Sequence, residues 1–386
     1  MIKTKKKYKI AVLGSGNGGL TFAGDFALAG HTVNLCELPQ FGESIKPIID
    51  SGSITMAGVA RTGSAKLNMV TTNVKEAIDG VEAIIIAVPA YGHIPFAQAV
   101  APHLEDGQMI TLNPGYTLGA VEFAKTLGEK GVDLKKTMLG AVGILVYSTR
   151  KYLGSRVFCE AVKAKIPFAA LPAKNTTKML SVLNEFYPQD DGERGILVDS
   201  VNELKLSLEN INVFQHPPMM ILKAVDVELG EEPYLKSEKS YAVALLRRAM
   251  NREVMAITKA FGMEPWAFEY THDMLMYPYW VKRPRAGIDE PEWAKPENQP
   301  SEYAAGRGFN FLKGRYITED LPYGLVPITE LGDVAGVETP TIDAVVDIGS
   351  AISETNYRRT GRTLEKLGLA DMSKAQLLSY VNEGRT

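Results

Sequence analysis

Ile10-Ala11-Val12-Leu13-Gly14-Ser15-Gly16-Asn17-Gly18-Gly19, running on into Leu20–Ala29, decides how the N-terminal half of this chain folds. Four apolar residues that end in glycine read as a strand buried on both faces of a parallel sheet. The glycines that follow satisfy G-x-G-x-x-G. Gly14 permits a tight turn, Gly16 lets a pyrophosphate approach the backbone, and Gly19 lets a helix pack closely on the strand. Leu20–Ala29 reads as a small-residue helix closed by Gly30, with its free N–H groups and positive dipole end toward the phosphates. Thr32–Leu35 is the next strand, and Glu37 ends it at the expected distance of about 20 residues from the fingerprint. Strand, glycine turn, helix and terminal carboxylate together predict a dinucleotide site made by Gly14, Ser15, Gly16, Asn17, Gly18, Gly19 and Glu37.

Working outward, Ala83–Val88 is the clearest buried strand, and Met109–Leu112 and Met138–Val142 are later ones. Helical stretches at Ile94–Ala101 and Gly119–Leu127 lie between them. This alternation predicts right-handed βαβ units in a doubly wound parallel sheet. Val88-Pro89-Ala90 ends one strand where its loop would run over the cofactor. Asn113-Pro114-Gly115 does the same after the next, toward the nicotinamide, although Pro-Gly is also ordinary turn chemistry. Ser53–Val70, with glycines at 58 and 63, reads as an inserted antiparallel hairpin or a long loop. A carboxylate at Glu37 would accept hydrogen bonds from the adenine-ribose hydroxyls and repel a 2′-phosphate. NAD is therefore the expected cofactor, with NADP the second option.

Beyond about Ser200 the pattern turns helical, so the expected division is a Rossmann domain over 1–200 and a mostly α-helical catalytic domain over 201–386. Ser237–Phe261 has apolar residues at helical spacing and stops at Gly262. Pro265–Met276 is a further candidate helix, and Trp280–Ser301, rich in proline and charge, reads as an irregular loop. Thr339 is expected to cap a helix over Ile342–Ile352, and Ser373 to cap Lys374–Val381.

Composition narrows the function classes. The 386 residues exceed the usual size of a single core. The 42 Lys+Arg against 45 Asp+Glu give a net charge of −3, with no general attraction to phosphate backbones, so no nucleic-acid partner is expected. The basic start is a solvated tail, and glycines interrupt the apolar run behind it before a signal core could form. No later run is long and uncharged enough for a bilayer. Cys36 and Cys159 have no metal-type companions, so no metal is expected, and two free thiols fit a reducing cytoplasm.

Hydride transfer to a carbonyl or imine needs a proton donor or acceptor beside it, usually His or Lys. Of the five histidines, His31 sits at the sheet end away from the cofactor and His103 in a polar loop. His93 follows a cofactor-side strand, and His272 lies on a candidate helix. His216 differs: in Phe214-Gln215-His216-Pro217-Pro218 two prolines fix the chain, which would hold the imidazole at a helix start. Spacing alone leaves a catalytic role and a capping or packing role both open.

The Gly14–Gly19 fingerprint, Val88-Pro89-Ala90, His216-Pro217 and the segment Arg315-Tyr316-Ile317-Thr318-Glu319-Asp320-Leu321-Pro322-Tyr323-Gly324-Leu325 resemble the octopine/nopaline (opine) dehydrogenase family along most of the chain. The resemblance implies a Rossmann domain, a helical C-terminal domain, and the NAD(P)H-dependent reductive condensation of an amino acid with a 2-oxo acid such as pyruvate. It also implies His216 as catalytic acid/base, Asp320 as its orienting partner and Arg315 as the holder of a substrate carboxylate. Separately, the largely helical C-terminal half is compatible with a homodimer. An ordinary capping Asp320 and a surface Arg315 are the plain alternatives. Where relatives carry a more polar stretch before an aromatic-x-x-Arg pattern, this chain has Gly143–Arg150, which leaves Tyr147 and Arg150 as candidates for substrate or cofactor contact. Tyr277-Pro278-Tyr279-Trp280 offers aromatic pocket candidates or core residues. Two other functions fit the scaffold: a simple 2-oxo or 3-hydroxy acid dehydrogenase resembling ketopantoate reductase, and a non-catalytic dinucleotide-binding protein. The first typically relies on a lysine, and nothing around Lys174, Lys178 or Lys223 marks one.

Overall fold

The computed structural model describes residues 6–163, 165–187, 196–229, 240–265, 281–283, 290–295 and 314–384. The chain divides into two units, the first made of Met1–Gly115, Gly119–Ser200 and Tyr279–Pro300, the second of Tyr116–Leu118, Val201–Pro278 and Ser301–Thr386.

In the first unit the strands are β1 (Lys9–Leu13), β2 (Thr32–Cys36), β3 (Ser53–Gly58), β4 (Gly63–Lys66), β5 (Met69–Thr71), β6 (Ala83–Ile86) and β7 (Met109–Leu112). They continue with β8 (Met138–Val142), β9 (Tyr147–Tyr152), β10 (Arg156–Lys163), β11 (Ile166–Leu171), β12 (Leu197–Asp199) and β13 (Val281–Arg283). The main sheet has the order β12-β11-β8-β7-β6-β1-β2-β5, and its one antiparallel pair is β11 with β8. The apolar runs read from sequence form its middle, where Ile10, Val12, Ile84, Ile85 and Ile86 have no exposed surface. Strands buried on both faces need no polar alternation, which is why they appear as unbroken hydrophobic stretches. Winding reverses between β1 and β6, so the crevice at their carboxyl ends is the switch point at which such sheets take ligands.

The insertion over Ser53–Val70 is the antiparallel hairpin β3–β4, while β5 returns to the main sheet beside β2. This hairpin belongs to a second sheet, β13-β10-β3-β4, in which β9 also pairs with β10. Part of the expected loop over Trp280–Ser301 is therefore a strand. β13 pairs antiparallel with the end of β10, and ladder hydrogen bonding at an open edge outweighs the proline- and charge-rich composition around it. Helix α1 (Asn17–Leu28) follows the glycine turn. Its Asp25 is wholly buried and bonds to Arg61 Nη1 and the Tyr147 hydroxyl, each at 2.7 Å. Tyr147, a substrate-contact candidate on sequence, is thereby a core residue, 1% exposed.

In the second unit the elements used below are α2 (Asn212–Leu222), α3 (Tyr241–Ala260) and α4 (Pro340–Ile352). α3 ends as expected before Gly262, which lies at φ +75°. α4 starts where expected, but its cap differs. Thr339 Oγ1 donates to Asp343 instead, and the Glu253 carboxylate, reaching from α3, accepts from the N–H groups of Thr341 and Ile342 at 2.8 and 3.0 Å. A full negative charge at a helix N-terminus outcompetes a neutral hydroxyl for those donors. The last helix, Lys374–Glu383, carries a full capping box between Ser373 and Gln376. The candidate helix over Pro265–Met276, with His272, and the aromatic run 277–280 fall outside the described residues, apart from Pro265.

Glu253→Ala is expected to destabilise the protein by about 1–2 kcal/mol, as loss of a helix cap does, and Thr339→Ala by less. Urea unfolding followed by circular dichroism checks the order of the two.

Candidate active site

The glycine turn is built by steric demand. Gly14 lies at φ +103°, and a Cβ there would stand 2.5 Å from Val88 Cγ1 and 2.7 Å from the Ala87 carbonyl. A Cβ on Gly19 would stand 1.8 Å from the Gly14 carbonyl, so the two outer glycines are required for the turn to close on the loop after β6. Gly16 differs, because a Cβ there meets nothing within 4 Å. It is the N-cap of α1, supplies no side chain to the helix end, and no acidic residue occupies the first turn. A helix N-terminus left open over glycine is the cradle that a pyrophosphate fits.

Glu37, 7% exposed, turns back on the same loop. Its Oε2 accepts from the Ser15 N–H and hydroxyl, both at 2.8 Å, and its Oε1 accepts from the Leu38 N–H at 2.9 Å. The carboxylate therefore braces the glycine turn from the end of β2, where an adenine ribose would meet it. An open cavity of about 460 Å³ beside it is lined by Leu38, Pro39, Thr72, Val74, Ala99 and His103, among others. Its partly apolar walls suit a flat heterocycle. Gly14–Gly19, Glu37 and Val88-Pro89-Ala90 are thus brought together in the first unit, and they fit a dinucleotide.

The second cluster lies within the second unit. His216 Nδ1 is 2.7 Å from Asp320 Oδ2, and its ring lies 4.1 Å from that of Tyr316, tilted by 35°. His216 sits mid-helix in α2 and not at a helix start, with Pro217 and Pro218 inside the same helix. Neither proline can bond back to the carbonyl four residues earlier, normally a cost of about 3 kcal/mol. Burial of Val213, Phe214, Pro217, Pro218, Met219 and Met220 offsets it. Arg247 Nη2 from α3 holds the Gln215 carbonyl at 2.8 Å, one residue before the imidazole.

Asp320 is 1% exposed and opens a π-helical turn over Leu321–Leu325, a rare geometry that concentrates at functional positions. Gly324 lets this turn approach α2, since a Cβ there would stand 2.2 Å from Val213 Cγ1. A carboxylate this buried is costly unless paired, and His216 is its partner. The Asp320 Oδ1 has no hydrogen-bond donor among the described residues. Its neighbour Glu319, also fully buried, pairs with Arg315 Nε at 2.8 Å. Arg315 itself is exposed, with its side chain 56% accessible.

One residue at this cluster escaped the sequence reading. Tyr116 is buried at φ +57°, in the short Tyr116–Leu118 segment held by Arg362 on the Thr117 carbonyl and by Ser207 on the Leu118 N–H. Burial, then the charges of Asp320 and Glu319, push its phenol well above the ordinary tyrosine range. The only local signal was its place just after Pro114-Gly115. Among the described residues no three His, Cys, Asp or Glu side chains are grouped as metal ligands, and no helix is long and apolar enough to cross a membrane.

A turn shaped for a dinucleotide and a histidine braced by a buried carboxylate are the equipment of a nicotinamide-dependent oxidoreductase. Residues 200–353 match the family model described as NAD/NADP octopine/nopaline dehydrogenase, alpha-helical domain. The chain is 34% identical over 373 residues to the opine dehydrogenase of Arthrobacter sp. (strain 1C), covering 96% of this chain and 98% of that protein. It also shares its fold with solved octopine dehydrogenase structures, one with NADH and L-arginine and one with NADH and pyruvate. Both align at a TM-score of 0.71 over 97% of this chain and 98% of theirs, at 18% and 19% identity. The chain belongs to the opine dehydrogenase family, and is an NAD(P)-dependent oxidoreductase.

Gly16→Val is expected to fold normally, since its backbone is extended and its surroundings open, yet to lose at least about tenfold in NADH affinity by filling the cradle. Gly19→Ala is expected to unfold or melt well below the wild type. Thermal melts beside a fluorescence titration with NADH distinguish the two.

Proposed function

We propose that this chain reductively condenses the amine of an amino acid with a 2-oxo acid such as pyruvate, giving a secondary amine dicarboxylate, and catalyses the reverse oxidation. The observation that carries the reading is the 2.7 Å contact between His216 and the buried Asp320 in a member of this family. Pyruvate and an amino acid are the ligands named for the solved octopine dehydrogenases.

With Nδ1 committed to Asp320, Nε2 is the nitrogen that exchanges protons with substrate. The carboxylate fixes the tautomer and stabilises the imidazolium. As the neutral amine attacks the 2-oxo carbonyl, His216 carries one proton from the nitrogen to the carbonyl oxygen. A second proton, taken up from solvent as the imidazolium, then protonates the hydroxyl, which leaves as water and gives the protonated imine that hydride reduces to the secondary amine. NAD(P)H, when bound, supplies the hydride that reduces the C=N bond. Arg315 binds a substrate carboxylate through its guanidinium fork while its Nε stays on Glu319. Asp320 needs no change of charge in this cycle. Gly14–Gly19, Val88-Pro89-Ala90 and Glu37 hold the dinucleotide, with NAD favoured over NADP. A cytoplasmic location and a homodimer complete the proposal, the first supported by two free, buried cysteines; sedimentation tests the second.

NADH oxidation is expected to require pyruvate and an amino acid together. Oxidation by the 2-oxo acid alone would replace this reading with a simple hydroxy acid dehydrogenase, and NADH binding without turnover across a broad substrate panel would replace it with a sensor. His216→Ala is expected to lower kcat by about 10²–10⁴ with NADH affinity nearly unchanged. Arg315→Ala should raise the KM for a carboxylate substrate. Because it also removes the Arg315 charge from buried Glu319, the double variant Arg315→Ala/Glu319→Gln should recover stability without recovering KM. Recovery of both would assign Arg315 to folding only.

A further inference from the structure

The second sheet of the first unit is stitched to the dinucleotide-binding helix by a regular ladder. On β9, the Lys151 N–H donates to Asn17 Oδ1 at 2.9 Å, Thr149 Oγ1 meets Thr21 Oγ1 at 2.8 Å, and the Tyr147 hydroxyl donates to Asp25 at 2.7 Å. Alternate strand residues thus meet every fourth residue of α1. Two strand residues advance about 6.6 Å and four helical residues about 6 Å, so the register holds over the whole run. The ladder delivers the last of these residues, Lys151, to the glycine turn.

There the Lys151 ammonium donates to the carbonyls of Ser15 at 3.3 Å and Ser44 at 3.0 Å. Glu37 takes the donors of the same Ser15, its N–H and its hydroxyl, and that hydroxyl lies 2.6 Å from the Ser44 hydroxyl. Anion and cation therefore share Ser15 at the ribose end of the turn, and the cation also holds Ser44. Burial pulls the Lys151 ammonium below the ordinary lysine range, and the charge of Glu37 works against that pull. NADP differs from NAD here by a 2′-phosphate of charge about −1.5 to −2, which a lone carboxylate would repel.

We propose that Lys151 is a specificity-determining residue that sets how strictly the chain discriminates NADH from NADPH, by supplying the positive charge that a 2′-phosphate meets beside Glu37. The inference rests on the dinucleotide reading of the glycine turn and is independent of the amino acid and 2-oxo acid used.

The test is direct binding of NADH and NADPH to the full chain by fluorescence, with the ratio of the two Kd values as readout. Lys151→Gln keeps N–H donors for the two carbonyls and removes the charge. It is expected to raise Kd for NADPH relative to NADH at least fivefold, whereas Lys151→Arg keeps the wild-type ratio. Glu37→Gln should shift the ratio at least tenfold toward NADPH, and the double variant Glu37→Gln/Lys151→Gln should lose most of that shift. An equal loss for both dinucleotides in Lys151→Gln, or the same ratio in Glu37→Gln with and without Lys151, would reduce Lys151 to a structural clamp and overturn the proposal. Should Lys151→Gln melt early, the Arg variant and the salt dependence of NADPH binding in Glu37→Gln still decide it. A dependence on salt no steeper for NADPH than for NADH would count against the proposal. Absence of NADH binding by the wild type would instead overturn the dinucleotide reading itself.

Discussion

Taking a carboxylate out of water costs several kcal/mol unless a partner of opposite charge or a set of donors meets it. In the helical unit two adjacent carboxylates, Glu319 and Asp320, are buried together, and each is answered differently. Glu319 has Arg315, a permanent cation. Asp320 has His216, whose charge can come and go. The proposed acid/base role falls to the second pair, and the neighbouring features hold it in place. The π-helical turn aims Asp320, Gly324 lets that turn close on α2, and the paired prolines of α2 are tolerated beside the imidazole.

The Rossmann unit obeys the same rule with the signs arranged for binding. Glu37 is buried but satisfied by the hydroxyl and N–H of Ser15 in the turn it braces and by the N–H of Leu38. Asp25 is buried on α1 and satisfied by Arg61 and Tyr147. The Asp25 pairing fixes α1 itself and the Glu37 pairing the turn before it, so the N-terminus of α1 stays open over Gly16. The second sheet supplies a polar strand against the first three turns of that helix.

Much of this was legible in the chain. Buried strands appear as unbroken apolar runs, and the glycine spacing, Glu37, the end of α3 and the start of α4 followed from local rules. By contrast, α1 starts at Asn17, three residues before the reading, because the glycine turn itself runs into the helix. The hairpin over Ser53–Val70 was readable as an insertion, but its pairing with β10, about a hundred residues on, was not, because register between distant strands has no local signal. β13 was hidden by a composition typical of loops. His216 stood out among the histidines by its prolines, with its role left open, and Asp320 was recognisable only through a family resemblance. Their separation of 104 residues carries no spacing rule, and the two prolines suggested a helix start where a continuous helix runs.

By itself the sequence determined the elements and the chemistry available to them: a dinucleotide turn, because only glycine tolerates the φ of position 14 and the contact at position 19, and a helical second half, because its apolar residues recur at helical spacing. Tertiary structure alone decided which charges meet. Glu253 took the cap expected of Thr339, Tyr147 went to Asp25 and not to a ligand, and Lys151 arrived at the Ser15 carbonyl from another sheet. Desolvation is the reason, since a group's protonation, partner and function depend on what replaces water around it, and only the folded chain specifies that.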